Sequence, residues 1–104
     1  MSSGRRVHER YALALDVTLK HPDGESAGLT QNVSLGGALI EIKDRITFGA
    51  EVRLRLRLPP LKEDAEIPAI VRWIKDGLVG IQFGSLRAKE VWAFNQMFKD
   101  APKV

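Results

Sequence analysis

From Val52 to Leu58 the chain reads Val-Arg-Leu-Arg-Leu-Arg-Leu, each second residue apolar and each one between an arginine. Successive side chains of a β-strand point to opposite faces, so this run separates its two kinds of residue only as a strand with one face on a core and the other in water. A helix would scatter the same leucines around its circumference. Pro59 and Pro60 stop the run, since proline has no N–H to give to a ladder.

A half-buried strand needs partners, and the rest of the chain supplies short segments of the same period. Leu13, Leu15, Val17 and Leu19 alternate with smaller or polar residues from Tyr11 onward, until His21-Pro22-Asp23-Gly24 makes a turn. A second strand is expected over Ser26–Gln31 and a third over Ala38–Ile42, paired around Asn32–Gly37. After a charged loop, Lys62–Glu66, the alternation resumes at Ile67, Ala69, Val71 and Trp73, and Asp76-Gly77 turns the chain into Leu78–Phe83. Only 86–99 has helical spacing, with Val91, Phe94 and Phe98 on one face and Trp92 and Met97 at its edges. These elements predict an all-β fold with a C-terminal helix: a six-stranded antiparallel β-barrel with the helix across one open end. The length of 104 residues suits one domain, 1–104, divided into a flexible N-terminal arm 1–10, a barrel 11–84 and a helix 86–99. Met1–Gly4 and Ala101–Val104 are expected to fray.

The chain lacks cysteine, which excludes disulfides, thiolate metal sites and cysteine nucleophiles. His8 and His21 have no second ligand at metal spacing, so no metal site and no cofactor are expected. No nucleophile elbow, P-loop or paired-acid arrangement is present, so no catalytic residues are assigned and the chain is not expected to be an enzyme. No apolar run nears the roughly 20 residues that cross a bilayer, and the first residues form no hydrophobic signal core. Membrane insertion and export are not expected, which leaves the cytoplasm as the default location. The net charge of +3 favours anions without singling out nucleic acid.

The position of the charge says more than its sum. Arg5, Arg6 and Arg10 stand ahead of the first strand, and each guanidinium can fork onto a phosphate or onto the O6 and N7 acceptors of guanine. Asn32-Val33-Ser34-Leu35-Gly36-Gly37 joins two strands. It combines an amide and a hydroxyl two residues apart with glycines that allow close backbone approach. Taken singly, the first motif reads as a solvated tail and the second as an ordinary turn.

Together, Arg6, Arg10, Asn32, Ser34 and Gly37 match all five positions of the paired signature Arg-x-x-x-Arg and (Asp/Asn)-x-Ser-x-x-Gly, and the chain resembles the PilZ domain family. Ala69–Trp73 and Val79–Phe83 look like that family's late strands, so the resemblance runs from Arg5 to about Phe98. It implies a six-stranded barrel with a closing helix and reversible binding of the bacterial second messenger cyclic di-GMP, without catalysis. By resemblance, Arg6 and Arg10 contact phosphate and guanine, Asn32 and Ser34 hydrogen-bond the ligand, and Gly37 keeps the turn open, with Gly36 beside it counted among the ligand-binding residues. Arg5, directly ahead of the motif, implies two ligand molecules per protomer. A separate downstream protein would read a surface that forms when the arm wraps onto the ligand.

Two other readings compete. A barrel that keeps the fold without the ligand would act as a protein-interaction module, which the intact motif argues against. A basic barrel binding single-stranded nucleic acid would use Arg53, Arg55, Arg57 and Arg72, but no aromatic residues interleave with them, and Trp73 and Trp92 fall where core packing would use them. That stripe is expected to be a solvated exterior.

Overall fold

The computed structural model describes residues 8–104. Arg5, Arg6, the Met1–Gly4 end and the rest of the arm before His8 lie outside the described residues. The chain forms β1 (Asp16–His21), β2 (Gly24–Val33), β3 (Gly37–Ile42), β4 (Glu51–Leu58), a 3-10 turn (Pro59–Leu61), β5 (Glu63–Lys75), β6 (Leu78–Phe83) and α1 (Ala88–Phe98). All neighbouring strands are antiparallel and close into a barrel in the order β1-β2-β3-β6-β5-β4. The fold expected from the sequence is the fold observed.

The arginine-leucine strand behaves as its period dictates. Val52, Leu54, Leu56 and Leu58 are buried among Leu19, Ile40, Ile67 and Val71, while Arg53, Arg55 and Arg57 lie on the outer surface. Residues 63–66 do not form the expected loop; they open β5. Asp64 and Glu66 alternate with the buried Ala65 and Ile67, and the register places Asp64 opposite Arg57 and Glu66 opposite Arg55. Arg57 lies 3.7 Å from Asp64 and Arg55 3.6 Å from Glu66, so charge pairing across the strands extends the ladder to its end.

The first strand begins later than expected. Residues 11–15 run beside β2 without regular pairing, and the buried Thr30 stands in for the ladder: its hydroxyl donates to the carbonyl of Leu13 (2.5 Å) and accepts the N–H of Leu15 (2.8 Å). α1 lies across the end of the barrel beside the 3-10 turn and β4. Its buried face consists of Glu90, Ala93, Phe94 and Phe98, Val91 being only half-buried, and Phe94 stacks on Phe83 and Phe98. Glu90 accepts the backbone N–H (2.9 Å) and the guanidinium (2.8 Å) of Arg87, which satisfies an otherwise unpaired donor at the helix start.

Two expectations are corrected at the edges of the fold. Ala101–Val104 does not fray: the Ala12 N–H donates to the Pro102 carbonyl (2.8 Å), the Val104 N–H to that of Arg10 (2.9 Å), and Lys103 pairs with Tyr11. The stacking of Tyr11 on Phe98, at 4.2 Å between ring centroids, sets the two segments side by side. Neither tryptophan is in the core. Trp92 is 51% exposed on the outer side of α1, and Trp73 is 43% exposed.

Candidate functional site: a groove across four strands

Two β-bulges decide which side chains meet on the outer face. Between Thr30 and Asn32 the pairing of β2 with β3 slips by one residue, so that Asn32 opposes Leu39. Between Val71 and Trp73 the pairing of β5 with β6 slips in the same way, so that Trp73 opposes Gly80. A bulge re-aims the residues that follow it, and bulges gather next to functional sites for that reason. Leu39 itself pairs with Gly80. The outcome is one row, Asn32, Leu39, Gly80, Trp73, running across β2, β3, β6 and β5.

Gly80 is bare by necessity. A Cβ there would stand 3.2 Å from the Trp73 Cβ and 3.7 Å from its ring, so the absence of a side chain lets the indole lie against the sheet. Alternation had assigned Trp73 to the core with Ile67, Ala69 and Val71; the bulge breaks that period and turns both Arg72 and Trp73 outward.

Above this row sits the end of the arm. Tyr11 and Val33 exchange two backbone hydrogen bonds of 2.9 Å, which fixes where the arm leaves the barrel. The Arg10 guanidinium then donates through Nη1 to Oδ1 of Asn32 at 2.8 Å. This contact joins the two sequence motifs, 22 residues apart. It also orients the Asn32 amide: with the oxygen held by Arg10, both N–H bonds remain available as donors. His8, Arg10, Asn32, Leu39, Gly80 and Trp73 line a groove of about 580 Å³, bordered by Ser34, Gly36, Gly37, Arg72 and Gln82. That size lies within the usual range for small-molecule sites.

The rest of the turn shapes this wall. Ser34 is buried, and its Oγ accepts the N–H groups of Gly36 (3.0 Å) and Gly37 (3.2 Å), while its own N–H donates to the Gly37 carbonyl (2.8 Å). Gly37 serves the seam between β3 and β6, since a Cβ there would fall 2.1 Å from the Ile81 carbonyl oxygen. Gly36 makes room for His8, whose ring would lie 2.8 Å from an added Cβ. Of the residues singled out in the sequence, Arg10, Asn32, Ser34, Gly36 and Gly37 thus come together, and Arg5 and Arg6 lie outside the described residues. Leu39, Arg72, Trp73, Gly80 and Gln82 were not expected at the groove. The signal for Gly80 was present, because a lone glycine inside a strand marks a close approach.

Among the described residues no group of three or more His, Asp or Glu side chains is placed to hold a metal ion, and no helix is long and apolar enough to cross a membrane. His21 is half-buried, its Nε2 2.8 Å from Ser26 Oγ.

The PilZ domain family model matches residues 4–96. No curated protein matches the chain. Among solved structures, the PilZ domain of CeSA from a cellulose-synthesizing bacterium has a TM-score of 0.67 at 18% identity, over 86% of this chain and 94% of that one. The Bacillus subtilis inhibitor of motility, MotI/DgrA, has a TM-score of 0.72 at 27% identity over 91% of this chain. The match covers 49% of that protein, so this chain spans about half of its length.

Proposed function

Since the chain belongs to the PilZ domain family, a family of cyclic di-GMP receptors and adaptors rather than enzymes, we propose that it is a cyclic di-GMP receptor whose ligand lies in the groove between the arginine arm and the Asn32–Trp73 row. The observation that carries this reading is the 2.8 Å bond from Arg10 to Asn32 at the lip of the groove, since it brings both halves of the signature to one place.

The chemistry of the ligand fits these groups. A cyclic dinucleotide presents two phosphates and two guanines. The N–H groups of Arg10 not engaged by Asn32 fork onto a phosphate or a guanine edge. The free N–H bonds of Asn32 donate to the same acceptors. The indole of Trp73, packed beside Gly80 and 43% exposed, offers a surface for a purine, and Leu39 gives the floor an apolar contact. Ser34 acts by holding the turn that presents Asn32, and it borders the ligand itself. Arg6 adds a second guanidinium from the arm, and Arg5 supports an intercalated ligand pair, two molecules per protomer. Closure of the arm over the ligand alters the surface that a downstream protein reads, in a bacterial cytoplasmic signalling role.

Isothermal titration calorimetry of cyclic di-GMP into the chain, beside an Arg6→Ala, Arg10→Ala double variant, tests the proposal. Saturable heat that the variant loses supports it, and the stoichiometry reports on Arg5. No heat at high ligand concentration would leave a protein-interaction module as the function of the barrel.

A further inference from the structure

The arginine stripe is not spent on ion pairs along its whole length. Arg55 lies near Glu66 and Glu25, and Arg57 near Asp64. Among the described residues, no carboxylate oxygen stands within 4 Å of a guanidinium nitrogen of Arg53 or Arg72. Both line a second groove, of about 720 Å³, on the outer face of β1, β4, β5 and β6. The register sets Lys20, Arg53 and Pro68 in one row and Glu51, Ile70 and Gln82 in the next. Cations therefore flank an aliphatic floor of Pro22, Pro68 and Ile70.

We propose that this groove is a docking surface for an acidic, extended segment of a partner protein, with carboxylates on Arg53 and Arg72 and an apolar side chain between them on Pro68 and Ile70. Three observations select that occupant. The barrel is closed, so no strand edge is free to add a peptide as a further strand, and an extended segment has to dock through side chains on the outer face. The floor is mainly aliphatic; of the two rings that line the groove, Phe83 is buried and His21 is half-buried with its Nε2 on Ser26, which leaves no open platform for the stacking that single-stranded nucleic acid uses. Glu51 at the rim repels a continuous row of phosphates more than it does two spaced carboxylates.

Arg72 and Gln82 line this groove and the neighbouring one, and Arg72 Nε donates to Gln82 Oε1 at 2.9 Å. A guanidinium turned toward an anion in one groove has fewer N–H donors to offer the other. If the first groove takes cyclic di-GMP, the nucleotide draws Arg72 from the acidic segment and weakens its binding; this coupling rests on the function proposed above, whereas docking itself does not.

The test is fluorescence anisotropy with a labelled synthetic peptide of alternating acidic and aliphatic residues, and separately with a labelled oligothymidylate of equal charge. Both are titrated with the whole chain and with Arg53→Glu. The expected result is saturable peptide binding, weakened about tenfold by the charge reversal and by added salt, with calorimetric cyclic di-GMP binding unchanged in the variant. Absence of peptide binding, equal affinity in Arg53→Glu, or tighter binding of the oligonucleotide overturns the docking proposal. A peptide affinity that saturating cyclic di-GMP leaves unchanged, in protein shown by calorimetry to bind the nucleotide, overturns the coupling.

Discussion

A backbone carbonyl decides the identity of residue 37. With the Ile81 oxygen 2.1 Å from any added Cβ, Gly37→Ala has to part β3 from β6, and should lower stability by about 3 kcal/mol in urea unfolding. Trp73 is the opposite case. It is exposed, so Trp73→Ala should shift the unfolding midpoint little while weakening cyclic di-GMP about tenfold in calorimetry, the size of one lost stacking contact. The contrast separates residues that build the groove from those proposed to meet the ligand. Arg10, Asn32 and Ser34 were singled out in the sequence only through the resemblance of two spaced motifs to a family signature, since each motif alone reads as a tail or a turn; the structure brings Arg10 and Asn32 into contact. Trp73 was not, because its outward position depends on the slip in pairing with β6, a property of two strands and not of one.

At the scale of elements, alternation together with turn signals located the six strands, and β6 and the leucine face of β4 lie where the sequence placed them. It misjudged residues 63–66, whose carboxylates read as a loop until the facing arginines are known. Ion pairs extend this side of the barrel and join it to α1. A hydrogen bond from Lys89 holds the Glu63 carboxyl below its ordinary range, and one from Lys20 does the same for Glu66. Since both are depressed in the folded chain, their contribution is present above the ordinary carboxylate range and is lost as pH falls through the folded values. The urea midpoint should therefore fall between pH 6 and 3, and fall less in a Lys20→Met, Lys89→Met variant or in high salt. At the start of α1, Glu90→Ala strands the Arg87 N–H and opens a cavity at a buried position. Its expected cost is about 2 kcal/mol, read as loss of helical circular dichroism at a lower temperature.

The whole molecule is a closed ring of strands whose first and last described segments also pair. Tyr11 and Arg10 meet Lys103 and Val104 beside the groove, which Val104 also lines. Fraying was the natural expectation for residues at a chain end; the stacking of Tyr11 on Phe98 overrides it, and no local pattern announces a contact between residues so far apart in sequence. Arm, tail and helix thereby form one support for Arg10. The central claim is that cyclic di-GMP lies on Trp73 beneath Arg10. The most direct measurement is a titration of the nucleotide into a Trp92→Phe variant, where Trp73 is the sole tryptophan emitter. The account predicts saturable quenching of that emission, abolished by Arg10→Ala. Calorimetric binding without any change in Trp73 emission would place the ligand elsewhere on the barrel and contradict it.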